Sequence, residues 1–139
     1  MEVVISIVNT LSFDIKFSEK SERESLKLSG EKCGYALRPK NDTVKLRFEV
    51  SENGAIVTQG IITKDGMMIL FTTTEKHSLT YIKKTKKALL DYFKKSEYKY
   101  IYTYTMRDYI ESIKFLKFIG FYMSKRNGVF EKWVLAKKQ

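Results

Sequence analysis

Between Val44 and Thr73 the chain carries three apolar stretches separated by two very short turn signals, and this constrains its fold more than any other feature. Val44, Leu46, Phe48 and Val50 alternate with Lys45, Arg47 and Glu49, the period of a strand with one solvated face. Asn53-Gly54 suits the positive φ angles of a tight hairpin, and Ala55 to Thr63 follows as the second arm. Lys64-Asp65-Gly66 turns again into Met67 to Thr73. Turns this short join antiparallel neighbours, so residues 43–73 are predicted to form a three-stranded meander.

The flanks read less uniformly. Val3 to Val8 suits a first strand, residues 10–30 one or two short helices stopped at Gly30, and residues 31–42, with Pro39, a loop. Ser78 can cap a helix running to Lys95. Leu79, Ile82, Leu89, Leu90 and Phe93 share one side of it, and Lys83, Lys84, Lys87, Lys94 and Lys95 the other, with Lys86 the misfit. Lys99 to Met106 alternates Tyr100, Tyr102 and Tyr104 with Ile101, Thr103 and Thr105, the composition of a strand. Asp108 and Glu111 have the spacing of a capping box for a helix over 109–119, apolar enough to be largely buried and ended by Gly120. Phe121 to Lys125 and Val129 to Ala136 flank Asn127-Gly128 as a closing hairpin. The helix after 67–73 acts as a crossover, so strands 67–73 and 99–106 are expected to run parallel and splay apart. The fold class is α/β (α+β): one domain over 1–139 with a mixed, mostly antiparallel sheet.

Composition removes several functions. One cysteine, Cys33, excludes an internal disulfide and a multi-cysteine zinc site, and it reads as a small apolar filler. One histidine, His77, removes most metal and histidine-base chemistry, so no metal is expected. The longest apolar run, Met67 to Phe71, is far short of the ~18 residues of a membrane helix. Met1-Glu2-Val3-Val4 has no basic leader, so the expectation is a soluble protein of the cytoplasm, without membrane contact.

The net charge of +10 lies in the C-terminal half, where fourteen of sixteen basic residues are lysine. A basic half suits an acidic protein, an anionic cofactor or nucleic acid. Lysine decoration of exposed helices gives the same excess, and lysine is poorer than arginine at shaped recognition.

The element order, together with Ile113-Lys114-Phe115-Leu116-Lys117-Phe118-Ile119-Gly120-Phe121, resembles the GNAT acetyltransferase superfamily. Its helix before the last hairpin reads Ala-Ile-x-Phe-Tyr-x-x-x-Gly-Phe, matched here by Ile113, Phe115, Gly120 and Phe121. The stretch from Phe115 to Gly120, with the ending Asn127-Gly128-Val129-Phe130-Glu131-Lys132-Trp133, is similar to the GNAT-like internal virion proteins of short-tailed phages.

What the resemblance implies about chemistry can be read against the residues. The family's cofactor turn carries glycines that let backbone N–H groups approach a pyrophosphate, whereas this chain has no glycine between Gly66 and Gly120. Thr72, Thr74, Ser78 and Lys83 are the remaining candidates for holding a phosphate near that helix start. The family's general-acid tyrosine falls at Leu116, which has no proton to give. Glu75 and His77 are the base candidates left, each with the ordinary reading of a solvated loop residue. The tyrosines at 98, 100, 102 and 104 suit base stacking or, more commonly, a half-buried wall against a helix.

The leading expectation is a GNAT-like virion protein that has lost acetyl transfer, binds no cofactor and acts through other virion proteins, made in the host cytoplasm. Its docking residues would be Lys83, Lys84, Lys87, Lys94, Lys95 and Trp133, the last reading from its strand as either core or interface. The alternatives are an active acetyltransferase using acetyl-CoA through an atypical loop, and a basic protein making non-specific DNA contacts.

Overall fold

The computed structural model describes residues 3–7, 41–72 and 78–137. Strand β1 (Val3–Ile7) lies antiparallel to β2 (Val44–Glu52), which pairs with β3 (Ala55–Thr63), which pairs with β4 (Met68–Thr72). The meander thus forms as the turn chemistry requires: Asn53 and Gly54 sit at φ 52° and 84°, and Gly66 at 97°. Helix α1 (Leu79–Lys95) follows, then β5 (Tyr100–Met106), α2 (Ile110–Ile119), β6 (Tyr122–Asn127) and β7 (Phe130–Ala136).

The strands form two sheets, in the orders β1-β2-β3-β4 and β5-β7-β6. A single parallel bridge, Met67 with Tyr102, joins them, and the Tyr102 amide donates to the Gly66 carbonyl at 2.9 Å. Beyond it no ladder continues among the described residues, so β4 and β5 run parallel at their start and then part, as the crossover requires.

β3 is the inner strand and is buried on both faces from Val57 to Thr63. Gly60 lies opposite Phe48, and a Cβ there would meet the Phe48 ring at 2.1 Å, so this glycine exists to admit the ring. The main core joins Phe48, Val50, Ile62 and Met68 to Tyr81, Leu89 and Phe93 of α1 and to Leu116, Trp133 and Leu135. A smaller cluster, Ile61, Met67, Ile69 and Met106, is covered by Tyr102, Tyr104 and Phe130.

Four expectations need correction. The capping box does not form: Tyr109 stands at the start of α2 without a side-chain cap, and the Asp108 carbonyl takes the Ile110 amide at 3.0 Å. Nor is α2 largely buried. Only Leu116 and Ile119 are, while Ile110 is 62% and Phe118 41% exposed, because the helix covers its sheet with one side. Lys86, the misfit on α1, holds its ammonium 4.5 Å from the Phe118 ring centre, a cation–π contact. Of the alternate tyrosines, Tyr98 packs on the main core beside α1, Tyr100 is exposed, and Tyr102 and Tyr104, edge to face at 5.9 Å, face the smaller cluster rather than a helix. It is Ile101, Thr103 and Thr105 that β5 buries. Trp133, expected at a partner surface, is 4% exposed and belongs to the core. The expected helices within 10–30, the loop before residue 41, Cys33, Thr74, Glu75 and His77 lie outside the described residues.

Candidate functional site

Where two parallel strands separate, each presents an unpaired edge, and such a gap can take an extended ligand. The closed end of this gap is tied by the β3–β4 turn. The Asp65 carboxylate accepts from the Thr63 hydroxyl and, at 2.6 Å, from the Tyr102 hydroxyl, so the turn is tied to β5. The Tyr98 hydroxyl donates to the Thr63 carbonyl at 2.6 Å. Burial pushes the Asp65 carboxyl up, but these hydroxyls and the Met67 amide outweigh it and hold the group below its ordinary value. Burial raises the Tyr102 phenol, and the hydrogen bond to Asp65 raises it further; Tyr98 is pushed up to about 12 by burial and by Tyr92 and Asp65.

One step further in, the buried Thr103 hydroxyl crosses the gap to the Met68 carbonyl at 2.8 Å. The backbone groups of Leu70, two residues on, point the same way by the strand period and meet no ladder partner on β5. Among the described residues the slot therefore has a free edge beyond Thr103.

The open end leads to α1, whose first N–H groups favour negative charge. Ser78 caps it as its residue type suggests, accepting the Tyr81 amide at 3.0 Å. The Ser78 proton is committed too: it goes to Glu52 Oε1 at 2.7 Å, from the end of β2. A carboxylate of this chain thus already occupies the neighbourhood of the helix start. Tyr81 lies fully buried behind it, sharing a hydrogen bond with Thr58, and burial together with the Glu52 charge raises its phenol. Lys83 is exposed one turn on, and Thr72 ends β4 opposite Thr58. Leu116 is 5% exposed in the core.

The structure therefore brings Thr72 and Ser78 to the mouth of the gap and leaves Lys83, Lys84, Lys87, Lys94 and Lys95 exposed along α1. Glu52 and Asp65 were not identifiable as site residues from sequence, since their partners are 26 and 37 residues away. No helix among the described residues is long and apolar enough to cross a membrane, and no three metal-ligating side chains cluster there.

No protein-family model matches the sequence, and no curated protein sequence matches it either. Solved structures do match. The GNAT domain of S. lividans PAT is similar with a TM-score of 0.69, over 96% of this chain and 89% of that one, at 7% identity. A putative streptothricin acetyltransferase from Bacillus anthracis, solved in complex with acetyl coenzyme A, gives 0.68 over 99% and 100%, at 15% identity. The ribosomal-protein-S18-alanine N-acetyltransferase of Escherichia coli gives 0.61 over 97% and 94%, at 12% identity. At the described start of α1 the Ser78 hydroxyl is held by Glu52, and that carboxylate opposes an anion placed beside it. The chain has the fold of the GNAT acetyltransferases.

Proposed function

We propose that this chain is a GNAT-fold protein that does not transfer acetyl groups and works through contacts with other proteins. One observation carries the reading: Glu52 lies hydrogen-bonded to Ser78 at the helix start where the fold's cofactor would set its phosphates. A pyrophosphate placed there would meet like charge, and Ser78 would have to break its bond to Glu52. Leu116 supports the same reading, because it offers no proton to a leaving thiolate. The free edge of β4 beyond Thr103 favours the alternative of an active enzyme, since an extended pantetheine-like chain could pair with it.

The surface available for contacts is the exposed lysine row of α1: Lys83, Lys84, Lys87, Lys94 and Lys95. It suits an acidic protein face more than shaped nucleic-acid recognition, for it contains no arginine. Trp133 has no part in it. The setting we propose is a virion assembly, supported by the likeness of Phe115 to Gly120 to phage virion proteins. A thermal-shift series with acetyl-CoA tests the absence of chemistry. We expect an unchanged midpoint at ~1 mM ligand, about 100 times the micromolar dissociation constant of a working site, where binding would add about 2.7 kcal/mol.

A further inference from the structure

The β6–β7 hairpin holds an ion pair that the cofactor slot does not use. Glu131 is 2% exposed. Its Oε2 accepts Arg126 Nε at 2.8 Å and Nη2 at 2.5 Å, and its Oε1 accepts the Trp133 indole N–H at 3.3 Å. A buried carboxylate needs such partners, so it fixes the guanidinium in place. Both donors go to one oxygen, which leaves the Nη1 end without a partner among the described residues, on a side chain that is 55% exposed.

That guanidinium lines a cleft of about 470 Å³ between α2 and β6. Arg107 and Lys117 line it as well, and neither forms an ion pair with a described residue. The Arg107 backbone is anchored, its amide donating to the Val129 carbonyl at 2.9 Å. Three cations therefore converge on a cleft whose one carboxylate is already neutralised. Phe121 and Trp133 give it an apolar floor, while Tyr122 and Met123 stay 54% and 41% exposed at its rim. Among the described residues β6 is the outer strand of its sheet.

We propose that this cleft binds an acidic, extended segment of another protein, with a carboxylate seated on Arg126 and flanked by Arg107 and Lys117. A fixed planar guanidinium matches a carboxylate. An unpaired strand edge with an apolar rim is the remaining feature, and only a peptide can use it together with the charges. The proposal rests on reading the domain as a surface-binding protein, and it adds a site on different elements from the α1 lysine row.

The test is fluorescence anisotropy with a fluorescein-labelled peptide alternating glutamate and valine. We expect saturable binding, weakened at least about tenfold by the double change Arg107→Ser, Lys117→Ser. Arg126→Lys keeps a cation against Glu131 but loses the planar fork, and should weaken binding by at least about fivefold with the melting midpoint little moved. The charge-matched change Lys45→Ser, Lys64→Ser on the other sheet should alter it by less than about threefold. The proposal is overturned if the peptide does not bind, if the Lys45/Lys64 control costs as much as the cleft variant, or if a single-stranded oligonucleotide displaces the peptide from the same residues with higher affinity. The assay contains no acetyl-CoA, so its failure leaves the non-catalytic reading standing, whereas acetyl-CoA binding would overturn that reading and leave the peptide result intact.

Discussion

Ser78 accepts the Tyr81 amide at 3.0 Å and donates its own proton to Glu52 at 2.7 Å, so one hydroxyl joins the start of α1 to the end of β2. Ser78→Ala should cost about 1 kcal/mol, as a lost cap does. Ser78→Asp is the more informative change, because aspartate is an equally good cap in isolation. Beside Glu52 it meets like charge, and denaturant unfolding should place it below Ser78→Thr.

Gly60 has a different kind of constraint. Any Cβ there meets the Phe48 ring at 2.1 to 2.7 Å, and that ring is 8% exposed inside the core. Gly60→Ala should destabilise by about 1–3 kcal/mol through overpacking. The companion Phe48→Leu, Gly60→Ala should recover part of the loss, since it makes room for the methyl; urea midpoints of both variants check this.

Asp65 provides a pH signature. Its carboxyl is held below its ordinary value, so the native state favours the ionised form. The stabilisation is present above the unfolded carboxyl value of about 3.9 and is lost as pH falls through the lower folded value. Asp65→Asn should therefore be less stable than the parent at neutral pH, by about 1 kcal/mol at this exposed position, and the difference should shrink below about pH 4. Melting midpoints of both proteins from about pH 3 to about pH 7, a range that brackets these values, would show it.

Thr85 is the case where a substitution should help. Its hydroxyl is close enough to act on the Tyr81 phenol but meets no described residue in good hydrogen-bond geometry, and it is buried at a cavity of about 250 Å³ lined by Leu46, Phe48, Met68, Leu70 and Leu89. Thr85→Val keeps the shape and removes an unsatisfied polar atom. Thermal unfolding should show a gain of about 0.5–1.5 kcal/mol.

What the sequence disclosed follows from the range of each interaction. The meander, both glycine turns, the Ser78 cap and the parting of β4 from β5 are encoded within a few residues or by a crossover rule, and all were legible. The N-terminus of α2 was not: Asp108 and Glu111 have capping spacing, but the Arg107 amide is drawn to Val129 and the chain enters the helix at Tyr109 instead. Nor does alternation say what each side of a strand packs against: the tyrosines of β5 read as a half-buried wall, and the fully buried side is Ile101, Thr103 and Thr105, where Thr103 has the Met68 carbonyl to meet. In the site, Leu116 could be read in advance from its motif position, but Glu52 could not. Arg126 and Glu131 escaped it as well: the hairpin was expected to turn at Asn127-Gly128, whereas it turns at Gly128-Val129, with Asn127 opposite Phe130 and Arg126 opposite Glu131.

The most direct measurement of the central claim is a calorimetric titration of acetyl-CoA into the intact protein. The account predicts no saturable heat, because Glu52 holds the Ser78 hydroxyl at the proposed phosphate end of the slot. A dissociation constant in the low micromolar range, about −8 kcal/mol, would contradict it.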